Sequence, residues 1–149
     1  MTPDQLFSLS NSLALAAWIV LIFFGRRKWA MLATGTVIPL LLGIAYTALI
    51  AVHWGETQGG FGSLPAVAAL FANRWLLLAG WIHYLAFDLF IGSWQVRDST
   101  AQGIPHLLIV PCLGLTFFFG PAGLLLYFIV RFVRTRSLTL SKPATAPLA

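Results

Sequence analysis

A chain of 149 residues that is 59% hydrophobic and only 9% charged, with a mean hydropathy of +0.88, is not a soluble globular domain, where roughly a quarter of residues carry charge. The formal net charge of +5 is gathered beside apolar runs, at Arg26, Arg27 and Lys28 and again at Arg131, Arg134, Arg136 and Lys142. Clusters so placed meet anionic headgroups and orient a membrane protein, and nucleic acid is a poor reading of them.

Four apolar runs follow one another, each near the ~20 residues needed to cross ~30 Å of hydrocarbon. The first, Leu6–Phe24, is preceded by Asp4 and by no Lys or Arg, the wrong leader for a secretory signal, so it is read as a true span. The second, Trp29–Val52, carries Pro39, Gly43, Tyr46 and His53 on one helical face. Between His53 and Arg74 the residues Gly55, Gly59, Gly60, Gly62, Ser63 and Pro65 stop any helix. The apolar piece ending at Asn73 is too short to span and is expected to be interfacial or re-entrant. The third run, Trp75–Val96, holds Asp88 near its middle, and Arg97–Pro105 then forms a tight connection in which Asp98, Ser99 and Thr100 break the apolar pattern. The fourth run is Leu107–Phe132. The fold expected is therefore all-α and integral to the membrane: a bundle of four transmembrane helices in one domain over 1–136, with a disordered tail over 137–149 that contains Pro143 and Pro147. Four spans put the first loop and the tail on opposite faces although both are basic. The charge rule cannot satisfy both, and the reading leans to cytoplasmic termini.

Asp88 is the most informative residue. A carboxylate at mid-helix costs about 2.5–3.5 kcal/mol on insertion scales, so it faces a partner, a cavity or a site. Tyr84, Asp88, Gly92 and Gln95 share one face of the third helix, while His83 stands about 140° away around it, in line with Phe87, Phe90 and Trp94. On the fourth run Thr116, Gly120, Gly123, Tyr127 and Arg131 align, and Pro121 frees the Phe117 carbonyl from its helical hydrogen bond. The catalytic candidates are Asp88, His83 and His106. The substrate-binding candidates are Tyr84, Gln95, Thr116, Tyr127 and Tyr46, all able to face one interior. The alternative for these polar groups is interhelical hydrogen bonding without chemistry. A single cysteine, Cys112, leaves no intramolecular disulfide and no two-cysteine metal site. Three histidines spread over three helices make a poor zinc set, and a haem held by two of them, such as His53 and His83, would lack any attachment motif. No metal or cofactor is expected.

The stretch Trp81-Ile-His-Tyr-Leu-Ala-Phe-Asp-Leu-Phe-Ile-Gly-Ser-Trp94, followed by Arg97-Asp98, Gly103-Ile-Pro-His106, Pro111 and Phe119-Gly-Pro-Ala-Gly-Leu-Leu-Leu-Tyr127, resembles the small membrane proteins typified by the plant abscisic-acid-deficient-four protein, associated with neoxanthin synthesis in plastids. The resemblance implies a four-span protein needed for conversion of the epoxy-carotenoid violaxanthin to neoxanthin, an isomerisation. Such a step requires an acid at the epoxide oxygen and a base for the proton lost as the allene forms. Asp88 is the candidate acid and His83 or His106 the candidate base, roles assigned by the chemistry and not carried over from the family. The chain opens almost directly in its first span with no visible transit peptide, so a bacterial plasma-membrane protein is expected. Its partner would be a membrane lipid or carotenoid-like molecule, in a homo-oligomer or membrane complex. The alternative function is a non-enzymatic subunit that binds a lipid, a pigment or a partner helix.

Overall fold

The computed structural model describes residues 1–139, and every regular element among them is helical. Helix α1 (Pro3–Phe24) starts in a reciprocal cap: the Gln5 amide donates to Thr2 Oγ1 at 3.3 Å and the Thr2 amide to Gln5 Oε1 at 2.8 Å. It buries the stripe Ser10, Ala14, Ala17, Trp18 and Leu21, the helical spacing of a single contact face.

The second span is one bent helix built from α2 (Lys28–Leu32), a π-helical turn (Ala33–Val37), α3 (Ile38–His53) and a 3-10 turn (Trp54–Glu56). Pro39 has no amide to give the Gly35 carbonyl, so the ladder slips register just before it. Within that turn Thr34 is buried; it donates to the Ala30 carbonyl at 2.9 Å and accepts from Ser93 Oγ at 3.1 Å. A short helix, α4 (Leu64–Ala72), is capped by Ser63 and lays Phe71 over Gly80. The central element is α5 (Arg74–Ala101), started by Asn73, whose Oδ1 accepts from the amides of Trp75 and Leu76.

Three helices are long and apolar enough to cross a membrane: Pro3–Phe24, Lys28–Glu56 and Arg74–Ala101. They match the first three expected spans, with one correction. Asp98, Ser99 and Thr100 do not break α5. Ser99 and Thr100 return their hydroxyls to the Val96 carbonyl at 2.9 and 2.8 Å, which keeps them compatible with helix, and the turn begins only at Gln102 with Gly103 at φ +68°.

The fourth expected span is not one helix. It divides into α6 (His106–Phe119) and α7 (Pro121–Thr135) at Gly120, whose φ of +39° suits glycine, followed by Pro121, which cannot donate into the preceding turn. The two halves fold back on each other as an antiparallel hairpin. A methyl group on Gly123 would fall inside the backbone and hydroxyl of Thr116, seven residues earlier. That contact is impossible in a continuous helix, where seven residues span about 10 Å. Ile109, Cys112, Leu113 and Tyr127 join α1 and α5 in one core cluster; a second, of Ala14, Leu42, Leu49, Leu78, Ile82 and neighbours, ties α1 and α3 to α5.

Both arms of the hairpin therefore open at the end of the molecule that holds the first loop. There Arg26 Nη2 donates to the Ile104 carbonyl at 2.8 Å and His106 Nε2 meets the Ile22 carbonyl at 2.7 Å. At the other end Arg74 pairs with Asp4 at 2.7 Å. The conflict between a basic first loop and a basic C-terminal segment disappears, because the hairpin brings both to one end. Of the expected tail, Ser137 and Thr139 are engaged through their carbonyls by Arg131; positions 140–149 lie outside the described residues.

Gly123→Ala should lower stability by about 1–3 kcal/mol, the usual cost of an overpacked contact. Gly114→Ala, whose added carbon meets nothing within 4 Å, is the matched control. Equal melting temperatures for the two variants in detergent would contradict the close approach of α6 and α7.

Candidate functional site around Asp88

The tip of the hairpin lands on Asp88. A carbon added to Gly120 would stand 2.8 Å from Asp88 Oδ1 and 3.0 Å from Oδ2, so the missing side chain is what admits the carboxyl. Asp88 Oδ2 is buried and has no hydrogen-bond partner among the described residues. Gly120 also begins α7, so the start of that helix is the element packed against the carboxyl. One turn earlier on α5, Tyr84 donates its hydroxyl to the Phe117 carbonyl at 3.3 Å, the acceptor released by Pro121. Tyr84 also lines a cleft of about 290 Å³ with Asn11, Trp81, Leu85, Phe117 and Phe118. This is a mid-helix carboxyl with a buried, unpartnered oxygen among the described residues, the hairpin tip packed on it, and a phenol one turn away at the edge of an apolar cleft.

The remaining candidates are placed elsewhere. Gln95 Nε2 donates to Thr116 Oγ1 at 3.0 Å, both side chains fully buried, so these two tie α5 to α6. His83 is on the α3 side of α5, its ring 4.4 Å from Phe87 and 5.6 Å from Tyr46 by centroids. It shares with Tyr46 a cleft of about 310 Å³ that Asp88 does not line. His106 starts α6, whereas Asp88 touches its end, about 20 Å away at helical rise. Its bond to a carbonyl through Nε2 requires the proton on that nitrogen, and Nδ1 is buried without a partner. Asp88 with Tyr84, His83 with Tyr46, and His106 thus form three separate places. His53, considered for haem, stacks on Trp75 at 4.8 Å and pairs with Glu56 at 2.8 Å. Among the described residues no three His, Cys, Asp or Glu side chains gather as a metal site would need.

Sequence reasoning missed the strongest polar cluster in the molecule. Asp98 Oδ2 accepts from the Tyr127 hydroxyl at 2.5 Å and from Arg131 Nε at 2.8 Å, with Arg131 only 1% and Asp98 9% exposed. Arg131 spends its other donors on the Ser137 and Thr139 carbonyls, each at 2.6 Å. Every one of these bonds is internal to the protein, so the cluster is a clamp holding α7 to α5. Tyr127, expected at a substrate site, belongs to this clamp. One signal was available: Gly123, Tyr127 and Arg131 lie at i, i+4 and i+8, which places an arginine on the buried face of α7 and demands an acid opposite.

A family model described as ABA DEFICIENT 4-like matches residues 5–127, well over half of the chain and all of the Asp88 site. No curated protein and no solved structure matches.

Proposed function

This chain belongs to the ABA DEFICIENT 4-like family, and on that premise we propose that it acts inside the bilayer on a carotenoid-like or isoprenoid lipid, as an isomerase whose proton donor is Asp88. The observation that carries this reading is the free, buried Oδ2 of Asp88 at the hairpin tip. One oxygen of the carboxyl is kept there without a hydrogen-bond partner among the described residues, in a position where insertion is costly, and such groups serve proton transfer in apolar sites. The apolar helices support membrane residence; the bacterial plasma membrane is part of the proposal, as is the placing of α4 in the interfacial layer.

Neither histidine stands next to Asp88, so the second half of the reaction falls to Asp88 itself. Protonated Asp88 gives its proton to the epoxide oxygen as the ring C–O bond breaks. The carboxylate left behind removes the C–H proton as the new double bond forms. The proton count closes, as an isomerisation requires, and Asp88 ends as it began. Tyr84 orients the lipid's oxygen from the adjoining cleft.

The separation of His83 and His106 from Asp88 favours a second reading, in which the protein holds a lipid or pigment, or joins a partner helix, without chemistry. Asp88→Asn separates the two, because it keeps the shape and removes the acid. With an epoxy-carotenoid in vesicles and the isomers resolved by chromatography and absorbance, the variant is expected to lose conversion by about 100-fold or more while keeping its elution profile and its bound lipid. Conversion at the wild-type rate would remove Asp88 from the mechanism, and an absence of conversion in wild type would leave the binding reading.

A further inference from the structure

We infer that the cleft between the second span and α5 is a binding site for a single membrane lipid with an anionic, phosphate-bearing headgroup, its chain lying along α3 and its phosphate on Arg97. Two clefts adjoin here. The larger, of about 440 Å³, is bounded by Pro39, Leu40, Gly43, Ala86 and Phe87 and has the size of a small-molecule site. The smaller, of about 50 Å³, includes Ser93, Trp94 and Arg97. Gly35, Thr36 and Phe90 line both, so the apolar cleft runs without a break to the cationic one.

Three features fix the occupant. Arg97 is exposed and makes no ion pair among the described residues, in contrast to Arg74 and Arg131. It stands at the end of the molecule that also carries Arg26, Arg27 and Lys28; an added carbon on Gly25 in that loop would lie 3.2 Å from Val96, the neighbour of Arg97. From Arg97 to Ala86 is eleven residues of α5, about 16 Å at helical rise, and half of a ~30 Å hydrocarbon core is about 15 Å. A cation at the surface with an apolar slot one leaflet deep beneath it matches one phospholipid in shape and charge. The slot exists because of local sequence: Gly35 and Gly43 omit side chains, and the π-helical turn beside Pro39 shifts the helix face where the slot begins. None of this involves Asp88, so the inference stands or falls independently of the isomerase reading.

The test uses the full-length protein in vesicles of equal phosphatidylglycerol and phosphatidylcholine, extracted gently, with retained lipid identified by native mass spectrometry. Wild type should retain phosphatidylglycerol over phosphatidylcholine by about fivefold, the discrimination expected of one basic residue near an anionic leaflet. Arg97→Gln should bring the ratio near parity. Gly43→Leu fills the slot, and its first added carbon meets nothing within 4 Å, so the fold persists; retention of both lipids should fall together. Added inorganic phosphate should not displace the lipid. An unchanged ratio in Arg97→Gln would overturn the headgroup assignment. Unchanged retention in Gly43→Leu, or displacement by phosphate alone, would overturn the chain assignment and reduce the site to a surface anion contact.

Discussion

Replacing Arg131 by Gln destabilises the folded protein by about 3–5 kcal/mol, the loss expected when one member of a buried ion pair is removed and the other is left uncompensated. The expectation rests on burial: Arg131 and Asp98 are 1% and 9% exposed, and their contact is 2.8 Å. Removing the guanidinium strands the Asp98 carboxylate with only the Tyr127 hydroxyl, leaves the Thr139 carbonyl without its donor and leaves the Ser137 carbonyl with Thr135 Oγ1 alone. Arg131→Lys should not rescue. Three separate acceptors are served by Nε, Nη1 and Nη2 in a planar fork, and an ammonium cannot reach all of them. Tyr127→Phe should cost less, about 1.5–3 kcal/mol, since it removes one hydrogen bond to a charged group.

The informative comparison is the double replacement, Asp98→Leu with Arg131→Met. An apolar pair of similar volume recovers most of the stability lost by either single change if the pair acts as a clamp, and the coupling is read directly from the cycle of melting temperatures in detergent. Additive losses would show that the two residues do not act on each other. The same double variant probes function: the clamp lies about ten residues, or ~15 Å, along α5 from Asp88, so a refolded double variant should keep whatever Asp88 does.

How far the sequence declared this architecture depends on the kind of signal. The first three helices were legible because each is a long apolar run bounded by turn residues or charge, and hydropathy reports length well. Asp88 was legible for the same reason, as the one acid in the middle of such a run. The hairpin was not. A run of 26 residues whose one charge, Arg131, comes next to its end reads as a span, and the fold-back is decided by two residues, Gly120 with positive φ and Pro121. A Gly-Pro pair alone equally describes a kink. Asp98 was misread because hydrophilic residues at the end of a span resemble a loop, when Ser99 and Thr100 bond back to the Val96 carbonyl and let the helix continue. The wide separation of His83 from Asp88 was legible from helical phase; the distance of His106 from Asp88 was not, since it follows from which end of α6 meets the carboxyl.

Membrane topology gives the sharpest contrast between a hairpin and a fourth span, because the two place the C-terminal segment on opposite sides. With three full spans and a hairpin that enters and leaves by the same face, the first loop, the Gln102 turn and Leu138 share one side, and the Gly60 loop takes the other. The first side collects Arg26, Arg27, Lys28, Arg97, Arg134 and Arg136, none in an ion pair among the described residues; the second holds Arg74, already paired with Asp4. By the charge rule that asymmetry predicts the basic side in the cytoplasm, the opposite of the orientation expected for four spans. Single cysteines at Gly60, Gln102 and Leu138, in a chain with the buried Cys112 replaced by Ala, report the arrangement through a membrane-impermeant maleimide. In intact cells Gly60→Cys should label, whereas Gln102→Cys and Leu138→Cys should label only after permeabilisation. Labelling of Leu138→Cys together with Gly60→Cys would mean that α7 continues across the bilayer, and the contact between Gly120 and Asp88 would then have no place in the protein.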